Sequence, residues 1–169
     1  DEVLDDISTR LKEYPFKKLL YNKNDSKEYI IDAHWALYCE NYLEGFHVPF
    51  IHKGLNNDII SKTYNTEILI NGVLQYAKKA VSNISPKKNS YLGNVYAYYY
   101  WIFPNIMLNF YNWGLSINII EPVDKDKTRI RFLSYPIKGS SQPQNKSSSL
   151  DKVEKEDQEI ILKVQSGIK

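Results

Sequence analysis

Val95-Tyr96-Ala97-Tyr98-Tyr99-Tyr100-Trp101-Ile102-Phe103, then Ile106-Met107-Leu108-Asn109-Phe110-Tyr111-Asn112, then Gly114-Leu115-Ser116-Ile117-Asn118-Ile119-Ile120-Glu121 place three runs rich in aromatic and β-branched residues in tandem. Such residues fit a pleated, half-buried surface, so each run predicts a strand. Asn112-Trp113-Gly114 and Asp124-Lys125-Asp126-Lys127 serve as turns, and 128–135 makes the return strand. Upstream, between 64 and 79, two further runs flank Asn71-Gly72, the strongest short-range hairpin signal. Consecutive strands with short connections give an antiparallel sheet.

Helical spacing brackets this sheet. Leu4, Ile7 and Leu11 suit a short amphipathic helix or a flexible lead-in over residues 1–13, and 33–47 read as a helix. After the polar stretch 138–147, read as a mobile loop, Ser148 or Ser149 can cap a helix running to about Gln165, with Gly167 just past its end. The fold class is therefore α+β. On the last helix Leu150, Val153, Ile160, Ile161 and Val164 are apolar, and Asp157 falls within their stripe. A carboxylate there loses hydration, at a cost of several kcal/mol, unless a cation or hydrogen-bond donors replace the water. A basic side chain or a metal would each serve.

The 169 residues make one domain of ordinary size with net charge +2, which gives no electrostatic reason to expect nucleic acid. No run of 18 apolar residues is present, and Asp1-Glu2-Val3-Leu4-Asp5-Asp6 is unlike a signal peptide, so no membrane and a cytoplasmic setting are expected. Cys39 is the single cysteine, which excludes an internal disulfide and any cysteine-rich metal site. It reads as a small core hydrophobe.

The chemistry concentrates in Asn41-Tyr42-Leu43-Glu44-Gly45-Phe46-His47-Val48-Pro49-Phe50-Ile51-His52. Two histidines and one carboxylate with open positions form the facial arrangement of non-haem iron(II) sites. Five residues turn a regular helix by about 140°, so His47 and His52 cannot pair as a helical metal motif does. Pro49 biases Val48 away from helix and ends the preceding helix near His47, which lets His52 return to the same point. Asn41, Glu44 and His47 recur every three residues and would share one side of that helix. His34 reads as structural.

Asn41, Glu44, His47 and His52 meet the motif Asn-x-x-Glu/Asp-x-x-His-x4-His, with Trp35 ahead of it. In this the chain resembles the catalytic domain of the Rieske-type ring-hydroxylating oxygenases, and His47 to Lys53 looks most like their choline-monooxygenase branch. The run Trp101 to Tyr111, and Glu156-Asp157 followed by Val164-Gln165-Ser166-Gly167, match in the expected order. The resemblance implies a helix-grip fold (START/Bet v 1-like), an antiparallel sheet wrapped around the long C-terminal helix. It also implies a lead-in segment at 1–30 and a mononuclear-iron catalytic domain at 31–169. The iron(II) ligands would be His47, His52 and Asp157, with Glu44 and Asn41 as catalytic residues. Glu44 would bridge from an incoming cluster's histidine toward His47, or simply cap it. Asn41 would be a pocket polar group or a structural one.

The implied activity is dioxygen activation that hydroxylates or dealkylates a small aromatic compound or quaternary amine. A non-catalytic helix-grip domain binding a hydrophobic molecule is the alternative. A two-iron Rieske cluster needs two cysteines and two histidines. With His47 and His52 assigned, Cys39 and His34 are what remain, so that cluster is expected on a missing domain or another chain. Expected partners are the substrate, dioxygen, a reductase or ferredoxin, and two further copies in a homotrimer.

Overall fold

A computed structural model describes residues 2–45, 48–51, 58–80, 90–140 and 146–168. In chain order these hold α1 (Glu2–Arg10), β1 (Asn22–Ile31), α2 (Trp35–Leu43), α3 (Val48–Ile51), β2 (Asn65–Leu69), β3 (Gly72–Lys78), β4 (Val95–Ile102), β5 (Ile106–Tyr111), β6 (Gly114–Asp124), β7 (Lys127–Pro136) and α4 (Lys146–Ile168). All seven strands form one antiparallel sheet in the order β1-β7-β6-β5-β4-β3-β2. The α+β reading and the meander from β2 to β7 hold. Asn71 takes φ 64°, a left-handed value that Asn tolerates, and closes the β2–β3 hairpin as its sequence foretold.

Three details differ from the sequence reading. The helix offered for residues 1–13 is present as α1, but the rest of the segment read as a lead-in contains the edge strand β1, which pairs with β7 from Asn22↔Ser134 to Ile31↔Thr128. Its segment Asn22-Lys23-Asn24-Asp25-Ser26-Lys27-Glu28 is polar because an edge strand needs little burial, so its composition conceals it. The expected helix over 33–47 stops at Leu43, and the last helix runs from Lys146 to Ile168, with Ser148, Ser149 and Gly167 inside it.

Alternation along the strands sorts their side chains onto two faces. On one face α1 covers the sheet, with Val3, Ile7, Leu11 and Tyr14 packed on Leu74, Tyr100, Phe110 and Leu115. Asp6 anchors that contact: it holds Arg10 at 2.9 Å and accepts from the Tyr100 hydroxyl at 2.7 Å. On the opposite face α2 and α4 bring Tyr38, Cys39 and Ile161 against Met107, Ile120 and Ile130. Helix against sheet with α4 across it is the helix-grip arrangement.

Candidate metal centre and substrate face

α2 delivers the motif residues. His34 caps its start, with Nδ1 accepting from the Ala36 backbone N–H at 3.2 Å, so this histidine is structural as read. At the other end Glu44 has left the helix (φ −97°, ψ 134°) while its N–H still reaches the Glu40 carbonyl at 3.0 Å. The expectation that Asn41, Glu44 and His47 line one side of a continuous helix is therefore corrected. The break comes at Glu44-Gly45, ahead of Pro49. A Cβ on Gly45 would lie 2.9 Å from the Tyr64 ring, so this tight approach requires glycine. Pro49 sits early in the four-residue α3, a position where its missing N–H costs nothing.

The third candidate ligand stands where α4 faces α2. Asp157 is half-buried, and its Oδ1 accepts from Asn41 Nδ2 at 2.9 Å. One turn earlier on α4, Glu154 is buried, accepting from the Tyr38 hydroxyl at 2.6 Å and from Gln158 Nε2 at 2.8 Å. One turn beyond Ile161, buried Gln165 accepts the His34 backbone N–H at 2.7 Å. Burial first, then the Glu154 and Asp157 charges, push the Tyr38 phenol well above its ordinary range. Sequence reading passed over Glu154, although its place three before Asp157 and seven before Ile161 puts it on the same helical stripe. It also overrated Val164, which is exposed.

His47 and His52 lie outside the described residues; in the chain they directly flank α3. Among the described residues no group of three His, Cys, Asp or Glu side chains could hold a metal. The part that is described fits iron by its chemistry. A carboxylate on a helix facing inward, oriented by an amide from the motif helix, is the donor that two imidazoles need to complete a facial set.

Beside this centre the sheet face divides. Where Ile161 packs it is apolar, with Met107, Ile120 and Ile130 fully buried. Elsewhere it carries buried polar groups. The Tyr64 hydroxyl donates to Gln75 Oε1, Gln75 Nε2 to the Tyr42 carbonyl at 3.0 Å, and the Tyr42 hydroxyl to Asn109 Oδ1 at 2.7 Å. Asn118 Oδ1 accepts from Asn109 Nδ2 at 3.4 Å and from Ser116 Oγ at 3.2 Å. Tyrosines line the same face: Tyr42 meets Tyr99 and Tyr99 meets Tyr111 edge-on, and Tyr111 stacks on Trp113 at 5.1 Å. Burial keeps these phenols protonated. Tyr111 is pushed up to about 12, and burial raises Tyr42 and Tyr99 well above the ordinary phenol range. Tyr64 is pushed to about 12 by burial and then by the Glu44 charge, which puts that carboxylate near it.

The fold is that of a helix-grip domain, and the comparisons assign its family. The family model described as "Ring hydroxylating alpha subunit (catalytic domain)" matches residues 16–169, and the chain belongs to that family. The chain is 31% identical to the chloroplastic choline monooxygenase of Arabidopsis thaliana over 84% of its own length and 34% of that protein's. With the same enzyme of Amaranthus tricolor it shares 28% identity over 99% of itself and 38% of the relative. It thus spans about a third of the relatives it matches. In fold it is similar to the quaternary ammonium Rieske monooxygenase CntA, with TM-score 0.77 at 19% identity, covering 96% of this chain and 43% of that one. It is also similar to naphthalene 1,2-dioxygenase from Rhodococcus sp., with TM-score 0.67 at 13% identity over 96% and 49%.

Proposed function

We propose that this chain is the catalytic domain of a Rieske-type non-haem iron oxygenase that hydroxylates or dealkylates a small organic molecule, with a quaternary amine as the favoured substrate. The observation that carries the reading is the Asn41–Asp157 hydrogen bond, which ties the motif helix to the carboxylate that the motif lacks. His47, His52 and Asp157 would hold iron(II). When bound, the metal supplies the redox chemistry that activates dioxygen. Asn41 orients the Asp157 carboxylate by donating to one oxygen, and α2 and α4 keep that pair partly out of water. Glu44, at the exit of α2, is the acidic residue through which an electron from a Rieske cluster would reach His47.

The amine is favoured because the tyrosine-rich face offers ring surfaces that attract a cation, whereas an aromatic acid would call for a basic partner. Both relatives named above are choline monooxygenases. The Rieske cluster belongs on another domain or chain and is fed by a reductase or ferredoxin, within a homotrimer. Among the described residues no helix is long and apolar enough to cross a membrane. The proposed compartment is the cytoplasm; the chloroplast setting belongs to the plant relatives.

Metal content is the test. The purified protein reconstituted anaerobically with iron(II) should bind one equivalent, and Asp157→Ala should lose it. Unchanged stoichiometry in that variant removes Asp157 from the site. The isolated chain, given only reductase and reduced nicotinamide, should not sustain repeated substrate-dependent oxygen uptake; many turnovers would overturn the cluster-dependent mechanism.

A further inference from the structure

Among the described residues, the Asn118 side-chain amide N–H groups and the Ser134 hydroxyl on the tyrosine-lined sheet face have no hydrogen-bond partner. Asn118 is 6% exposed and Ser134 7%. Asn118 Oδ1 is saturated by Asn109 and Ser116, but its Nδ2 donates to nothing among the described residues. The Ser134 hydroxyl is likewise unengaged; only its backbone N–H is used, toward Ser26 Oγ at 3.1 Å. Neither atom is sealed in: among the described residues the one side-chain polar atom that is sealed and unpartnered is Trp101 Nε1. The register brings them together, because Ser116 pairs with Ser134 and Asn118 follows Ser116 by two on the same face. Both residues are more than nine-tenths buried while these two atoms keep accessible surface, so whatever occupies the space beside them, water or a ligand, supplies the partner.

We propose that Asn118 and Ser134 form a subsite for an uncharged oxygen of the substrate, a hydroxyl or carbonyl. Because the Asn118 amide nitrogen can only donate, the ligand atom must accept; the Ser134 hydroxyl can do either. Ser116 and Asn109 hold the amide in this orientation by occupying its oxygen. The preference for a neutral oxygen over a carboxylate follows from charge. The strand residues that share this face from β3 to β7, such as Gln75, Tyr99, Asn109, Asn118 and Ser134, include no Lys, Arg, Asp or Glu. Lys27 of the edge strand, opposite Phe132, has an interaction of its own. An anion buried there would lose its water without a countercharge. Tyr99, bonded across the sheet to Asn109, continues the aromatic surface beside the subsite. A ligand with a cationic end on the tyrosines and a neutral oxygen on Asn118 satisfies both parts.

The inference rests on the amine reading above, and matched probes separate the two. Choline carries the hydroxyl; propyltrimethylammonium replaces it by methyl; glycine betaine replaces the alcohol by a carboxylate. Calorimetric titration of the iron-loaded protein should show choline binding at least tenfold tighter than either analogue. Asn118→Leu should bring choline down to the propyl analogue while leaving that analogue unchanged. Ser134→Ala, a smaller change that spares the fold if Asn118→Leu does not, should remove part of the same difference. If both cations bind but neither variant alters their ratio, the subsite is wrong and the amine reading stands. If the unmodified protein binds neither cation, the amine reading fails and takes the subsite with it. Betaine binding as tightly as choline overturns the neutral-oxygen preference alone.

Discussion

Asn41 Nδ2 donates to Asp157 Oδ1 at 2.9 Å, joining two helices through residues 116 apart in the chain. A metal-ligating carboxylate held by such a partner loses affinity when the partner is removed, by about 10- to 100-fold. Asn41→Ala should therefore weaken iron(II) binding by that order while Asp157 still supports stoichiometric loading at high metal. Competition with a chelator of known affinity measures it. Unaltered affinity would reduce the contact to helix packing.

Glu154 is a buried carboxylate whose short bond from Tyr38 replaces part of its lost hydration. Tyr38→Phe should cost about 1.5–3 kcal/mol, the range for hydrogen bonds to charged groups. The denaturation midpoint in urea should fall accordingly, and a shift below about 0.5 kcal/mol would mean that the other contacts of Glu154 suffice.

Gly45 admits the Tyr64 ring at a distance no side chain allows. Gly45→Ala should destabilise by about 1–3 kcal/mol through overpacking, and the penalty should vanish in a Tyr64→Leu background. A double-mutant cycle reads this directly; equal penalties in both backgrounds would place the strain elsewhere.

Alkaline pH should unfold the protein early. Burial raises the Cys39 thiol from 9.0 to about 11, and Tyr64 and Tyr111 from 10.0 to about 12. The folded state thus favours the protonated form, so this stability is complete below the unfolded pKa values and is lost as pH rises from about 9 to 12. Cys39 alone accounts for roughly 2–3 kcal/mol between pH 9 and 11. Urea midpoints followed against pH should decline through that window, and Cys39→Ala should flatten its lower half.

Glu44→Gln in the full-length enzyme should slow electron delivery and leave iron bound. Parallel loss of iron would instead make Glu44 a support for His47.

The sheet was legible because its strands are aromatic, alternating and joined by turns with strong local signals, Asn71-Gly72 above all. β1 was not, since an edge strand tolerates Asn22 to Glu28 without an apolar face. Asp157 could be found by its place in an apolar stripe, whereas Glu154 and Gln165 looked like surface residues because polar side chains reveal burial only through partners on other elements. The end of α2 was misplaced for a similar reason. Pro49 is a visible breaker, but the close approach of Tyr64 to Gly45 is a tertiary fact.

The pairing of β1 with β7 also sets the order of assembly. Each hairpin from β2 to β7 closes between neighbours in sequence, at small entropic cost, whereas Ile31 must wait for Thr128 and Asn22 for Ser134. Contacts of such separation slow folding. On the ribosome the first strand of this sheet stays unpaired until nearly the whole sheet has emerged, and Asn41 cannot reach Asp157 until α4 follows. Helices α2 and α4, which carry Asn41 and the proposed ligand Asp157, are thus brought together last, so the nascent sheet exists before the Asn41–Asp157 contact does.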